Sequence, residues 1–299
     1  MATTPVLLFI NPTAGRGRAG RRMSRIVALF DEAGVNYELL ESRAVGDLEA
    51  RVQERVNEGA RRIVVAGGDG SIHEAVNGIM RADGGARLGV IPTGTGNDFA
   101  KACGIPLDWE QATRLLADRI NADARWRRID VGRMNDRFFA NGVGIGFDAR
   151  VTKVARAYRW PIGQLVYLFA LIRCLIDGVS TPDMTISSDG VTLEGPITLA
   201  NVSNGAWVGG MFYIAPMADN ADGSLELLVA DPVSRLRILQ LLPKIIAGKH
   251  IGEPEVMHKG VRQVSIRASE PVPSHLDGEV VTPMCDFDIE LLPAALDLL

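Results

Sequence analysis

Cysteine is scarce in this sequence, and the few cysteines present form no recognisable pattern. The 299 residues include three, Cys103, Cys174 and Cys285. Their number is odd and none of them has the CxxC spacing that is typical of zinc sites. We therefore predict neither a disulfide framework nor a zinc site, and the thiols fit a reducing cytosol.

Long apolar runs are also missing. The most apolar segment, residues 165–172, is followed by Arg173 and Asp177, so it is much shorter than the roughly 20 residues that span a bilayer. Residues 1–5 run directly into the short apolar segment 6–10, without the basic region and longer apolar stretch of a signal peptide. We expect a cytoplasmic protein whose contact with the inner face of a membrane is peripheral.

The sequence has no long basic face. Its formal net charge is −4, which argues against a general nucleic-acid binder because such proteins neutralise phosphates with clustered cations. Apolar residues make up 47% of the 299 residues, enough for one large core or two moderate ones, and the length favours two domains.

Residues 1–128 alternate short apolar segments with amphipathic ones, which predicts an α/β domain. The predicted strands are 6–10, 37–41, 62–66 and 88–91, and the predicted helices are 21–33, 47–57, 73–80 and two that start at 98 and 109. This βαβα order is typical of a doubly wound, mostly parallel sheet.

From residue 129 to 286 the pattern changes to β-branched runs separated by Gly, Asn and Asp, which predicts a β-rich antiparallel domain. Two helical stretches, 151–177 and 233–247, interrupt it. Their apolar stripes fit core packing, while the interspersed Lys153, Arg156, Arg159 and Arg173 also suit a surface for anionic lipid headgroups. The last segment, 287–299, reads as a strand returning to one of the sheets, with the sheet of the first domain as the candidate.

A glycine-rich turn follows the predicted strand 62–66. It contains Gly67, Gly68, Asp69 and Gly70 and leads into a helical pattern. Glycines allow positive φ and a close approach to phosphates, and the N–H groups at the start of the next helix favour anions. Asp69 would lie beside Mg²⁺ or a phosphoryl acceptor, unless the glycines serve only the packing of a tight turn.

A second such turn follows the strand 88–91. Thr93 and Thr95 supply hydroxyl groups there, and Asn97 or Asp98 can cap the helix that follows. Because parallel strands of one sheet end at the same edge, both turns should lie together where α/β proteins bind ligands. A nucleotide site is the simplest interpretation.

A dinucleotide-dependent oxidoreductase has to be considered as well. Residues 15–20 read GRGRAG, a GxGxxG match after a strand, and Glu38 and Glu41 follow at roughly the distance expected for a ribose ligand. A single match of this kind is weak, and it leaves the GGDGS, GTGND and DGE sequences unexplained.

Taken together, the motifs resemble the diacylglycerol kinase catalytic family, whose members include bacterial diacylglycerol kinases and sphingosine kinases. The resemblance covers nearly the whole chain and rests on seven segments in order: NPTAG (11–15), GGDGS (67–71), PTGTGNDFA (92–100), IDVG (129–132), NGVGIGFD (141–148), APMADNADG (215–223) and HLDGE (275–279). Ser71 replaces the usual Thr, and His73 stands where Asn is common.

The resemblance implies ATP as phosphate donor, bound by residues of the first domain. The implied contacts are Asn11, Pro12, Thr13, Ala14, Gly15, Ser42, Gly67, Gly68, Asp69, Gly70, Ser71, Ile72, His73, Thr95, Gly96 and Asn97.

The resemblance also implies the catalytic and metal residues. Asp277, ahead of Glu279, would receive the proton of the acceptor hydroxyl, although a DGE sequence by itself usually marks only a hairpin turn. A structural Mg²⁺ would bind Asp219, Asp222 and the Ser224 carbonyl, through the oxygen ligands that this ion prefers. Asp69 is a further catalytic candidate. Asp130, also counted among the catalytic residues, would link the metal to the catalytic carboxylates through water, or would only cap a turn.

The expected function is therefore an ATP-dependent lipid kinase that phosphorylates diacylglycerol or a related lipid at a membrane surface. Two alternatives remain open: a kinase of a soluble substrate similar to NAD kinase, which also uses a GGDG turn, and a non-catalytic nucleotide or lipid sensor. The sequence leaves the lipid and the oligomeric state open, with a homodimer among the arrangements it allows, and it predicts no nucleic-acid partner.

Overall fold

A computed structural model of the protein describes residues 4–12, 14–42, 44, 46–124, 127–158 and 163–299, without the side chains of residues 14–18. The chain divides into two compact units. The first consists of Met1–Asp130 and Ala294–Leu299, and the second of Val131–Pro293.

Strands and helices alternate in the first unit. Its strands are β1 (Val6–Ile10), β2 (Tyr37–Glu41), β3 (Arg62–Gly67) and β4 (Arg87–Pro92), and its helices are α1 (Ala14–Glu32), α2 (Asp47–Asn57), α3 (Asp69–Arg81), α4 (Asp98–Ala102) and α5 (Trp109–Asn121). The strands pair in parallel in the order β4-β3-β1-β2. The predicted α/β domain with a parallel sheet is thereby confirmed.

The central strands of this sheet are buried on both faces. All five residues of β1 are buried, as expected for a continuous apolar run in a parallel sheet covered by helices. Helix α1 packs against α5, and α2 packs against α3. These helices cover the sheet and leave the ends of its strands to the connecting loops.

The second unit is mostly antiparallel. Its strands are β5 (Arg127–Met134), which starts in the first unit, β6 (Arg137–Phe139), β7 (Gly142–Gly146), β8 (Asp183–Ser188), β9 (Val191–Pro196), β10 (Leu199–Ser203), β11 (Leu225–Ala230), β12 (Val256–Val261), β13 (Gln263–Leu276) and β14 (Glu279–Leu298). They run in the order β12-β11-β10-β7-β13-β14, with β8 and β9 beside β13. This arrangement confirms the predicted β-rich domain.

Three helices accompany these strands: α6 (Phe147–Ala157), α7 (Leu165–Asp177) and α8 (Arg235–Ile246). Their inner faces form an apolar cluster with one another, which includes Val151, Leu171 and Ile238. No helix within the described ranges is both long enough and apolar enough to cross a bilayer.

Three expectations about the elements need correction. Helix α1 begins at Ala14 instead of residue 21. Within it, an ideal Cβ at Gly20 would lie 3.0 Å from the Pro12 carbonyl oxygen, so glycine at this position lets the helix pass close to Pro12. The helical stretch from residue 151 consists of α6 and α7, and α6 already starts at Phe147. The GxGxxG pattern lies inside α1, so it does not form the dinucleotide-binding turn considered above.

The end of the chain pairs with the sheet of the first unit. Asp297 and Leu298 of β14 lie parallel to Arg87 and Leu88 of β4. The earlier part of β14 is antiparallel to β13 in the second unit. The segment that belongs to the first unit therefore starts at Ala294.

Candidate functional site

The carboxyl ends of the parallel strands bring the predicted nucleotide-binding loops to one edge of the first unit. Ile10 lies opposite Glu41 and Ala66, and Gly67 lies opposite Pro92. The segments that leave these ends, residues 11–15, 42, 67–73 and 93–98, are here called the loop edge. Its position is the one where parallel α/β sheets bind ligands.

Hydrogen bonds join the first loop to its neighbours. Asn11 Nδ2 donates to Ser71 Oγ at 3.0 Å, and the Ser42 N–H donates to the Ile10 carbonyl at 3.0 Å. Pro12 lies in the turn before α1, which begins with Ala14 and Gly15. Thr13 lies outside the described residues.

The glycines of the loop edge allow neighbouring segments to pack closely against one another. A Cβ on Gly94 would lie 2.5 Å from Gly68 Cα, and one on Gly67 would lie 2.6 Å from Ser71 Cβ. Gly68 has a φ of −103°, and Gly67 and Gly70 also avoid positive φ, whereas Asn97 has a φ of 52°. The expectation of positive φ in the GGDG turn was therefore wrong.

Asp69 connects the two glycine loops. Its Oδ1 accepts the Phe99 N–H at 3.2 Å, and the N–H groups of Asn97 and Asp98 also stabilise its charged form. Burial raises the pKa of Asp69 to about 7, and the Asp98 carboxylate adds to this rise. Asp69 thus caps α4, whereas Asn97 makes no side-chain cap hydrogen bond there. A contact between Asp69 and Mg²⁺ stays a prediction.

The three residues that follow Gly70 are directed into the interior of the protein. Ser71, Ile72 and His73 are buried, and the side-chain amide of Asn77 lies against His73, donating to its carbonyl oxygen at 2.9 Å. Only backbone groups of Ile72 and His73 can therefore face a ligand at the loop edge, whereas Thr95 and Gly96 are partly exposed.

Two side-chain oxygens of the second glycine loop are buried without a hydrogen-bond partner in the described part of the chain. They are Thr93 Oγ1 and Asn97 Oδ1. Buried polar atoms normally have partners, so such atoms in a loop indicate a bound ligand or water. From the sequence, Thr93 was expected only to supply a hydroxyl group. Its position directly after a strand was the signal that it could contact a ligand.

The DGE sequence forms a tight turn in the second unit, called here the acidic turn (residues 275–279). Asp277 has a φ of 51°. Its two carboxylate oxygens accept the N–H groups of Ala140, Asn141 and Gly142 at 2.8 to 3.0 Å. Asp277 therefore holds the acidic turn against the start of β7, in addition to any catalytic role.

Glu279 forms an ion pair that the sequence did not predict. Arg156 of α6 lies 2.5 Å from Glu279 Oε1 and donates to the Gly278 carbonyl at 2.9 Å. Arg156 was considered a contact for lipid headgroups, but its guanidinium lies on the acidic turn. Arg159 lies outside the described residues, and Arg173 pairs with Asp177 at 3.0 Å.

Asp130 lies at the end of the first segment of the first unit. It is buried, and its Oδ1 accepts the Ala294 N–H at 2.6 Å. The carboxylate thus anchors the point at which the chain returns to the first unit. Its proposed link to a metal through water stays a prediction.

The predicted metal ligands share one exposed loop of the second unit. Asp219 Oδ1 accepts the Ala221 N–H at 3.1 Å, and Asp222 Oδ1 accepts the Ser224 N–H at 2.9 Å. No group of three or more His, Cys, Asp or Glu side chains that could hold a metal occurs in the described ranges. A cation here would need backbone carbonyls and waters to complete its ligands, which Mg²⁺ accepts.

An apolar cavity lies inside the second unit. It encloses about 930 Å³, counting its part open to solvent, and is lined mostly by aliphatic and aromatic side chains of α6, α7, α8 and the adjacent strands. Val151, Leu171 and Leu241 are examples. The sequence indicated apolar stripes on these helices but not the space between them.

Two family models match the chain. The model of the diacylglycerol kinase catalytic domain matches residues 5–134. The model described as the YegS C-terminal NAD kinase beta sandwich-like domain matches residues 141–299. Together they cover the loop edge, the acidic turn and the apolar cavity.

Similar proteins extend over nearly the whole chain. A diacylglycerol kinase of Bacillus subtilis (strain 168) is 30% identical over 273 residues, covering 91% of this chain and 88% of the relative. One of Mycobacterium tuberculosis (strain ATCC 25618 / H37Rv) is 29% identical, covering 98% and 94%. Among solved structures, a Bacillus anthracis str. Sterne protein described as a putative diacylglycerol kinase has a TM-score of 0.79 at 26% identity, covering 100% of this chain and 97% of its own.

Proposed function

Since the chain belongs to the diacylglycerol kinase family and is a lipid kinase, we propose that it transfers the γ-phosphate of ATP to a hydroxyl group of diacylglycerol or a related lipid. The product would be a phosphatidic acid-type lipid. Phosphoryl transfer requires a held phosphate donor, an aligned acceptor hydroxyl and a group that receives the hydroxyl proton.

The apolar cavity is the observation that carries this proposal. Its predominantly aliphatic and aromatic lining suits acyl chains, because burying apolar surface drives their transfer from water. The polar acceptors of a soluble-substrate kinase would lose their hydrogen bonds to water in such a cavity. The cavity therefore favours a lipid acceptor over the NAD kinase-like alternative.

The loop edge is the proposed ATP site. The N–H groups at the start of α3, from Asp69 to Ser71, have no partners within the helix and favour an anion. Thr93 Oγ1 and Asn97 Oδ1, buried without partners in the described residues, are further groups for the nucleotide or its ordered water.

Asp277 and Glu279 are the proposed acceptors of the hydroxyl proton, with Asp277 first by resemblance. Asp277 already accepts three N–H groups, so proton transfer to it would compete with one of these bonds. Glu279 is paired with Arg156. Loss of a general base lowers kcat by about 10² to 10⁴, whereas loss of the turn would also lower the thermal stability.

Asp219, Asp222 and the Ser224 carbonyl fit a hard cation such as Mg²⁺, because all are oxygen ligands in one exposed loop. A bound ion would supply a fixed positive charge that orders the loop before β11. In this proposal the loop edge binds the nucleotide, and the acidic turn supplies the group that accepts the hydroxyl proton.

We also propose peripheral contact with an anionic membrane through α7 and α8. The outer faces of these helices expose large apolar side chains: Leu165, Phe169, Ile172, Ile176, Leu236, Leu239 and Ile246. Their inner faces line the apolar cavity, so a lipid would pass between membrane and cavity along the same helices. Lys153 and Arg235 are exposed cations on α6 and α8 that would attract anionic headgroups.

The test is transfer of label from γ-labelled ATP to lipid. The purified chain would be incubated with Mg²⁺ and either diacylglycerol or a total bacterial lipid extract in mixed micelles, and the organic phase separated by chromatography. We expect labelled phosphatidic acid from diacylglycerol, with loss of at least a hundredfold in kcat for Asp277→Asn or Glu279→Gln.

The alternatives give other results in the same assay. Label that stays in the aqueous phase and moves to NAD or a sugar would replace the lipid kinase with a soluble-substrate kinase. ATP binding without any transferred label would indicate a sensor. Full activity in both carboxylate variants would exclude the acidic turn as the base.

A further inference from the structure

A row of buried polar residues crosses the sheet of the second unit next to the apolar cavity. Gly144 of β7 lies directly opposite Asn201 of β10 and His275 of β13. Residues directly opposite one another point to the same face of a sheet, so the two side chains flank the gap left by the glycine. Asn201 is 0% exposed and His275 is 2% exposed.

The Asp148 side chain enters this gap from the first turn of α6. A Cβ at position 144 would lie 2.1 Å from Asp148 Oδ2 and 2.5 Å from His275 Nε2. These two side-chain atoms are 3.8 Å apart, which is longer than a hydrogen bond. The missing side chain of Gly144 is thus what gives the carboxyl access to the sheet.

Two buried side-chain nitrogen atoms of this row lie next to the Asp148 carboxyl. The Asn201 amide stabilises the charged form of Asp148 through a hydrogen bond, whereas His275 Nε2 has no hydrogen-bond partner among the residues that the structure describes. His275 Nδ1 accepts the Gly278 N–H at 3.3 Å, so Nε2 is the ring nitrogen that carries the proton. Two buried donors therefore flank the Asp148 carboxyl, and one of them, His275 Nε2, is a buried polar atom without a partner in the described residues.

Asp148 is the member of this group that a molecule in the cavity can touch. Its side chain is 19% exposed, and it lines the apolar cavity. Its Oδ1 accepts the N–H of Ala149 at 2.7 Å. Burial raises the pKa of Asp148 to about 7, so near neutral pH the carboxyl can accept or donate a hydrogen bond.

Other polar residues of the lining already have partners in the fold. Thr198 Oγ1 donates to the Asp231 carbonyl at 2.8 Å. His250 Nε2 donates to the Ile214 carbonyl at 2.9 Å, while its Nδ1 is buried without a partner in the described residues and the residue is only 1% exposed. Asp148, whose side chain is 19% exposed, is therefore the carboxyl group that the described lining presents to a molecule in the cavity.

The position of Asp148 also relates the cavity to the acidic turn within the second unit. His275, which adjoins the Asp148 carboxyl, accepts its hydrogen bond from Gly278, the residue between Asp277 and Glu279. A single imidazole ring thus separates Asp148 from the turn that carries the proposed base. The hydroxyl of a lipid that meets Asp148 would lie at the part of the cavity wall where His275 connects Asp148 to that turn.

We propose that the Asp148 carboxyl, placed over Gly144 between Asn201 and His275, hydrogen-bonds the free hydroxyl group of the lipid whose acyl chains occupy the apolar cavity. This inference rests on the proposed lipid kinase function and names the residue that recognises its acceptor. Asp148 would act as a specificity-determining residue, because a lipid without the hydroxyl leaves the buried carboxyl unpaired.

The test compares two lipids with the same acyl chains. The first is dioctanoylglycerol, and the second is its 3-deoxy analogue, which lacks the free hydroxyl. Each would displace a fluorescent derivative of the deoxy lipid from the purified full chain, so that affinity is measured without turnover. We expect the wild type to bind dioctanoylglycerol at least about tenfold more tightly than the analogue, as for a hydrogen bond to a buried carboxyl.

Variants distinguish a role of Asp148 in recognising the lipid hydroxyl from a purely structural role. In Asp148→Ala this ratio should fall to about one, with the affinity for the deoxy analogue changed by less than about twofold. Asp148→Asn keeps the shape and one acceptor oxygen and should give an intermediate ratio. Thr152→Val, which removes a hydroxyl one turn further along the same cavity wall, should keep the full ratio.

Three results would overturn the inference. They are a wild-type ratio near one, a full ratio in both Asp148 variants, and loss of the ratio in His250→Gln but not in Asp148→Ala. The last result would place the hydroxyl at the other polar point of the cavity. A preserved ratio together with no phosphorylated lipid in the labelling assay would contradict the kinase proposal and leave the assignment of Asp148 intact.

Discussion

The loop edge of the first unit and the apolar cavity of the second unit are built in opposite ways. At the loop edge, the contacts are made mostly by backbone groups: two glycine loops touch at Gly68 and Gly94, and the Asp69 carboxyl ties them together through backbone N–H groups. The cavity is lined by side chains from three helices and the adjoining strands.

This difference reflects the chemistry of the two proposed ligands. A polyphosphate carries the same charges in every nucleotide, so backbone N–H groups and the start of a helix suffice to bind it. Acyl chains present only apolar surface to the protein. Selectivity between lipids therefore has to come from the few polar side chains in the cavity wall. A change in the backbone should therefore damage the first site most, and a change in one side chain the second.

Two glycine substitutions test this contrast most strongly. In Gly94→Ala the new Cβ would lie 2.5 Å from a backbone atom of Gly68, whereas in Gly144→Ala it would meet the side-chain end of Asp148 at 2.1 Å. A backbone is harder to move than a carboxyl group. We expect Gly94→Ala to lower the free energy of unfolding by about 3 kcal/mol and Gly144→Ala by about 1 kcal/mol.

Urea unfolding and ATP titration calorimetry would measure the pair. Gly94→Ala should abolish ATP binding, while Gly144→Ala should retain it and lose the preference for the lipid hydroxyl. Equal destabilisation by the two substitutions, or normal ATP binding by Gly94→Ala, would contradict the contrast.

Exposed apolar residues provide a second comparison. Ile176 and Leu236 of the second unit are 67% and 66% exposed, and Leu107 of the first unit is 51% exposed. The double variant Ile176→Ser/Leu236→Ser should bind vesicles of phosphatidylglycerol and phosphatidylcholine about tenfold more weakly, because each side chain loses its burial in the membrane. Sedimentation of vesicles with bound protein measures this loss.

Leu107→Ser is the matched control, and it should bind vesicles as the wild type does. All of these surface substitutions should change the free energy of unfolding by less than about 0.5 kcal/mol. If the control and the double variant lost binding equally, membrane contact would not be specific to α7 and α8.

Titration of buried groups gives a smaller and graded effect. Burial raises the pKa of Asp69 and Asp148 to about 7 and lowers that of His275 to about 4. The acids therefore favour folding most at low pH and lose that contribution as the pH rises from about 4 to 7. The histidine acts in the opposite sense, because its contribution is lost as the pH falls from about 6.5 to 4.

Urea unfolding between pH 4.5 and 7.5 would separate these contributions. Relative to the wild type, Asp69→Asn and Asp148→Asn should gain stability with rising pH, by up to about 1.4 kcal/mol per pH unit. His275→Gln should gain relative stability with falling pH. Curves that stay parallel to the wild type in all three variants would show that these groups do not titrate as burial requires.

Several features followed directly from the order of residues. Apolar strands that end in glycine-rich turns predicted the parallel sheet and the meeting of the loops at one edge, because strand direction decides which ends are neighbours. The boundaries of α2 and β2 also agree with the predicted 47–57 and 37–41. By contrast, the glycines in residues 15–20 suggested a loop, whereas these residues lie inside α1, where Gly20 packs closely against Pro12.

The sequence by itself determined the family motifs, the two types of sheet and the nature of the site residues, since these depend on local pattern and residue chemistry. Only the tertiary structure decided which groups meet. Asp69 reaches the start of α4, Arg156 reaches Glu279, and Asp148 enters the gap at Gly144. Such contacts depend on how distant segments pack and on the space that one missing side chain leaves, and no local pattern in the chain encodes them.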